Sequence, residues 1–190
     1  MDHLGLSLLL YTRKMDYFSF YEIPISFHPN QNLVKKKFYA LSKAYHPDFF
    51  VNESEEKQKE ILHLSTLNNK AFQVLSNPDQ LLAYILQLKG ELVEGEKYAL
   101  PQDFLLEMME VNEALMELEF EVDETQIQKI TVEVDQLENQ LNKELKILTT
   151  KYEAFANDNE IELLAQIKDI WYRKKYMLRI RESINRFASR

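Results

Sequence analysis

The residues best suited to chemistry are His46, Pro47 and Asp48, three different functional types in a row. Proline lacks an N–H and pushes the residue before it out of the α region, so a helix that reaches His46 must stop there. His46 and Asp48 then project from a stiffened bend instead of lying along a helix. Asp48 can accept a bidentate bond from a partner arginine. The His46 imidazole can donate or accept near neutral pH. Pro47 reduces the entropy lost in holding such a bend ready for docking. A bare tripeptide of this kind needs to be nothing more than a helix stop. Its setting makes it specific: Tyr45-His-Pro-Asp-Phe-Phe stands between two amphipathic helical segments.

Other chemistry finds little support. His3, His28 and His63 have no metal-ligand spacing. With no Cys, thiol catalysis, disulfides and Cys-ligated zinc or iron–sulfur centres are excluded in this chain. Three scattered Gly cannot build a phosphate-cradling loop. No pair of carboxylates stands out as a buried acid and base. Trp171, at helical spacing from Ile167, Ile170 and Lys174, reads as packing. The expectation is a chain that is not an enzyme, holds no cofactor and binds no metal.

The elements around the bend are helical. Pro24 and Pro29 bracket a turn over residues 22–30. A helix over 31–45 carries Val34, Phe38, Leu41 and Tyr45 on one stripe. Lys36, Tyr39 and Lys43 lie opposite, with Lys35 beside them. A polar loop is expected over 48–52. Ser54 opens a longer helix to about 75, striped by Ile61, Leu64, Ala71 or Phe72, and Leu75. Asn77 and Pro78 give the cap and first position of the next helix, which Gly90 can end. Gly95, three Glu and Pro101 make 90–101 a linker. No Gly or Pro follows Pro101. Three helices are expected there, over 102–121, 124–154 and 159–188, with Asp123 and Asp158 as caps of the last two. Short connections between them predict an antiparallel bundle.

With 3 Gly and 5 Pro in 190 residues, an all-β fold has too few turns. The fold class is all-α, with residues 1–14 as an extension, 15–89 and 102–190 as domains, and 90–101 between them. No apolar run approaches the ~18 residues of a membrane span, and residues 1–14 lack the charge order and cleavage site of a secretory signal. A cytoplasmic, soluble protein without a membrane partner is expected. The net charge is −8. Residues 89–122, with two bases and ten acids, account for all of it, which disfavours nucleic acid as a partner and favours a basic protein.

That acidic stretch contains a helix with two apolar faces. Phe104, Met108, Val111, Leu115 and Leu118 cluster within about 80° and suit a core. Leu105, Met109 and Met116, with Leu106 at the edge, form a second set. Glu113 and Glu117 lie beside it and Glu110 flanks further round. Leucine and methionine ringed by glutamate read either as an adaptable docking surface or as a broad core face of the bundle.

Taken together, these residues resemble a J domain, and most closely the HscB-type co-chaperones of iron–sulfur cluster assembly. Met15-Asp-Tyr-Phe, the Tyr39–Phe50 segment with its bend, Asn69-Lys-Ala-Phe-Gln-Val-Leu, Asn77-Pro78 and Tyr84-Ile-Leu carry the likeness, which covers about residues 15–188. Departures fall at Leu81-Leu82, where the family usually has Arg-Ala, and at Asn68, where an apolar residue is usual. The resemblance implies an L-shaped molecule with an N-terminal J domain and a C-terminal three-helix bundle. It implies that His46, Pro47 and Asp48, with Lys35, Lys36 and Lys43, engage a DnaK-type (HscA-like) chaperone and stimulate its ATPase. It further implies that Leu105, Leu106, Met109, Glu110, Glu113, Glu117 and Tyr172 bind an iron–sulfur scaffold protein (IscU-like). The basic run Arg173-Lys174-Lys175 could alternatively neutralise the acidic helix. The rival readings are a general J-protein that presents unfolded polypeptides, a purely structural helical protein, and an enzyme that uses His46 and Asp48.

Overall fold

The computed structural model describes residues 15–93, 95–120 and 123–188, with backbone alone at 156–158. The expected extension over residues 1–14, and His3 within it, lie outside these. All regular structure among the described residues is helical. The chain divides after Lys89 into two compact units, Met1–Lys89 and Gly90–Arg190.

In the first unit, each helix starts where a short polar side chain can satisfy its free N–H groups. Asp16 caps α1 (Tyr17–Phe20) by accepting from the Ser19 N–H at 2.9 Å. Asn30 caps α2 (Gln31–Ala44), Ser54 caps α3 (Glu55–Ser76), and Asn77 caps α4 (Pro78–Leu88). Helices α2 and α3 are antiparallel: the Gln31 amide reaches the Leu75 carbonyl at 3.1 Å, and Phe38 stacks on Phe72 at 4.2 Å. Their core is Val34 against Ile61, Leu64, Ala71 and Leu75, closed by Phe18, Tyr21 and α4. Leu81 and Leu82 are both buried in that core. Each fully buried Leu or Ile contributes about 1.5–3 kcal/mol relative to exposure. Asn68 lies on the buried stripe of α3 and is 1% exposed. It survives there because Tyr21, Phe38 and Ser42 supply its hydrogen bonds. Gly90 follows α4 at φ 77, the left-handed conformation that ends helices and favours glycine.

The second unit contains α5 (Gln102–Phe120) and α6 (Glu124–Ala188). Asp123 caps α6, accepting from the Thr125 N–H at 2.8 Å. Helix α6 is two arms: Phe155 (φ −139, ψ 22) and Asn159 (φ −141, ψ 31) leave helical geometry between them. The sequence predicts a break over the same stretch, although the Asp158 side chain proposed as its cap lies outside the described atoms. The arms run antiparallel, because Arg181 bonds Asp135 and Glu138, and Lys174 bonds Asn142. Helix α5 packs on both arms. Its Asn112 amide donates to the Tyr176 hydroxyl at 2.9 Å, and the Gln126 amide reaches Glu117 at 2.9 Å. Phe104, Met108, Val111, Leu115 and Leu118 are all buried, so the stripe read from sequence is the core face.

Candidate docking surfaces

The bend between α2 and α3 forms because α2 cannot pass Pro47. Ala44 is its last helical residue, and His46 is extended (φ −72, ψ 121). The expected polar loop over 48–52 is instead a 3-10 turn over Pro47–Phe50. Two features favour the turn. Pro47 presets φ for a first helical position, and the His46 Nδ1 accepts from the Asp48 N–H at 3.3 Å. The Phe49 N–H donates to the His46 carbonyl at 3.0 Å. His46 is thus its own cap, and its ring leans on Phe49 at 5.4 Å.

Both functional groups of the bend face outward. The His46 side chain is 50% exposed and that of Asp48 82%, with 3.8 Å between Nδ1 and Oδ2. Lys35, Lys36 and Lys43 are exposed on the outer face of α2, and none makes an ion pair among the described residues. Lys37 differs, being drawn to Glu22. Exposed Tyr39 lies among the three lysines on the helical wheel, and exposed Phe49 and Val51 follow the bend. The exposure of Phe49 and Val51 was not read from the sequence. The doubled aromatic Phe49-Phe50 was the signal available, but only the fold shows that Phe50 turns inward and Phe49 outward.

On α5, the second apolar set is solvent-facing. Leu105, Leu106, Met109 and Met116 are exposed, as are Glu110, Glu113 and Glu117. The alternative of a broad core face is thereby excluded, because these four apolar side chains stay in water while the other stripe is buried against α6. These residues do not form one uniform patch. Leu105, Met109 and Glu113 point away from the bundle. Leu106 and Glu110 line a groove against Leu137, Leu141 and Arg173. Glu117 is tied to Gln126.

Tyr172 sits in a separate cluster. Its ring stacks on Tyr98 at 4.2 Å and 1° between planes, and its hydroxyl donates to Glu96 at 3.3 Å. Lys168 pairs with Glu96 at 2.6 Å, and the Tyr98 hydroxyl donates to Asp169 at 2.8 Å. The Lys168 ammonium holds the Glu96 carboxyl below its ordinary pKa. Burial, reinforced by the bond to Asp169, pushes the Tyr98 phenol up to about 12. The basic run beside Tyr172 has partners on α6 itself. Arg173 pairs with Asp169 and Glu144, Lys174 bonds Asn142, and Lys175 lies over the Trp171 ring at 5.2 Å, all within α6.

Among the described residues, no group of three or more His, Asp or Glu is placed to hold a metal ion, and no helix is long and apolar enough to cross a membrane. The surfaces suit protein contacts. An antiparallel helical hairpin presenting His-Pro-Asp at its bend is a J domain, and its pairing with a helical bundle places the chain among the co-chaperones. Residues 100–185 match the family model of the HSCB C-terminal oligomerisation domain. The chain is 31% identical over 179 residues to the co-chaperone protein HscB of Buchnera aphidicola, covering 88% of this chain and 99% of that one. It is 33% identical over 156 residues to the human iron-sulfur cluster co-chaperone protein HscB, covering 76% and 66%. The crystal structure of human co-chaperone protein HscB superposes with a TM-score of 0.72 at 26% identity, covering 90% and 81%. The chain belongs to the HscB family of co-chaperones.

Proposed function

We propose that the bend docks on a DnaK-type, HscA-like chaperone and stimulates its ATP hydrolysis, while the bundle delivers an IscU-like iron–sulfur scaffold to it. In this reading residues 15–89 act as the J domain, 90–101 as the linker and 102–190 as the scaffold-binding domain, in the cytoplasm. The observation that carries it is the bend itself: a prestiffened turn with two exposed polar groups of different chemistry. Asp48 offers two carboxylate oxygens to an arginine of the ATPase. His46, already capping the turn through Nδ1, keeps Nε2 for the partner. Lys35, Lys36 and Lys43 meet an acidic surface and speed the encounter. Docking favours the hydrolysis-competent state only so far as it binds that state more tightly. Leu105, Leu106, Met109, Glu110, Glu113, Glu117 and Tyr172 hold the scaffold, which raises its effective concentration at the chaperone's peptide site.

The test is single-turnover ATP hydrolysis by the chaperone with wild type and His46→Gln. The variant is expected to lose stimulation while melting at the wild-type temperature, since His46 is not in the core. Full stimulation by His46→Gln would remove the J-domain reading. Equal binding of many denatured polypeptides, with no preference for the folded scaffold, would replace the scaffold arm with general substrate presentation.

A further inference from the structure

The exposed apolar face of α5 is longer than the set assigned to the scaffold. At ~100° per residue, Met116 falls about 20° and Phe120 about 60° from Leu105, with Met109 at about 40° between them. These four side chains share one face. Met116 is 62% exposed and Phe120, the last residue of α5, is 91% exposed. From Leu105 to Phe120 the strip is about 22 Å long at ~1.5 Å per residue. Single exposed apolar side chains need no explanation, but four on one helix face do. Phe120 has the weakest structural excuse, because a phenylalanine in water gives up the burial that its ring would otherwise gain.

The charge around the strip narrows its occupant. Helix α5 carries six acids and no Lys, Arg or His. Glu113 lies on the strip and Glu117 flanks it. A second copy of this chain, docked face to face, would bring two such acidic helices together, a like-charge contact that opposes pairing. A partner with Lys or Arg beside its own apolar strip gains both burial and complementarity.

We infer that the scaffold contact runs the full length of α5 onto Met116 and Phe120, and that the scaffold meets it with an apolar strip flanked by lysine or arginine. This rests on the scaffold reading above and extends it to two residues and to the chemistry of the partner surface. Phe120 acts as an end anchor and Met116 as the adaptable filler between it and Met109.

The experiment is calorimetric titration of the full chain with the cluster-free iron–sulfur scaffold protein of the same organism. Three chains are compared: wild type, L105A/M109A and M116A/F120A. The last is expected to raise Kd about ten-fold or more, on the scale of an interface hot spot. Raising the salt from about 0.05 to 0.3 M is expected to weaken wild-type binding as well, since rim charges are screened over about a Debye length. Loss of affinity in L105A/M109A alone would overturn the extension and leave the scaffold reading standing. Absence of wild-type binding would overturn both. Binding indifferent to salt would overturn the basic partner strip. A self-association of the chain that M116A/F120A abolishes, seen by sedimentation, would make the occupant a second copy and overturn the proposal. Should the double variant melt early, F120A alone, at the last turn of α5, carries the same test.

Discussion

Replacing Asn68 tests what holds the hairpin behind the bend. The Asn68 Nδ2 donates to the Phe38 carbonyl at 3.1 Å and the Ser42 hydroxyl at 2.9 Å, and its Oδ1 accepts from the Tyr21 hydroxyl at 2.9 Å. One side chain therefore ties the end of α1, the middle of α2 and the middle of α3. Burial pushes the Tyr21 phenol well above its ordinary pKa, so it stays a neutral donor throughout the working pH range. Asn68→Leu keeps the size and deletes three bonds. At roughly 1 kcal/mol per bond, the expected loss is about 3 kcal/mol. Tyr21 would retain only its 3.2 Å bond to the carbonyl of residue 68. Tyr21→Phe deletes a single hydroxyl and should cost about 1–1.5 kcal/mol. The double variant should lose about 1 kcal/mol less than the sum, because replacing both partners strands neither. Urea unfolding followed by far-UV circular dichroism measures all three. Trp171, the only tryptophan, lies in the second unit, and its fluorescence should report an unchanged transition there. Wild-type stability in Asn68→Leu, or strict additivity in the double variant, would refute the account of Asn68 as a shared polar node.

Two further outcomes are expected, both in the second unit. Glu96 titrates below its ordinary value because of Lys168, so its contribution is present at neutral pH and lost as pH falls through that lowered pKa. The near-UV signal of the Tyr98–Tyr172 stack should therefore hold down to about pH 5 and fall away in stronger acid. Glu96→Gln should flatten that acid response, and an identical response in the variant would sink the assignment. Arg181 bridges Asp135 and Glu138 between the arms of α6 at 2.5 and 2.7 Å. Arg181→Ala should cost about 1 kcal/mol at low salt and less at high salt, because partly exposed pairs are screened. A melting temperature that does not move in low-salt buffer would show the bridge to be idle.

Much of this molecule is legible along the chain because its determinants are local. Pro47 stops α2, Asn77 with Pro78 starts α4, Gly90 ends it and Asp123 starts α6, each acting within a turn of its own position. The core stripe of α5 follows from helical spacing alone and holds at all five positions. Local rules were not enough at 48–52, where the expected loop is a 3-10 turn because His46 reaches forward to the Asp48 N–H.

What only the tertiary structure decided involves partners distant in sequence. Spacing marks Asn68 as a misfit on an apolar stripe. Only the fold brings Tyr21, 47 residues away, to make it the node of the hairpin. Spacing leaves the second face of α5 open between core and surface. Only the two arms of α6, by covering one side, leave Leu105, Met109, Met116 and Phe120 in water. The same holds for Tyr172, whose ring is taken up by Tyr98, 74 positions earlier. Periodicity tells which side chains share a face. Which face is covered depends on the packing of segments far apart in the chain.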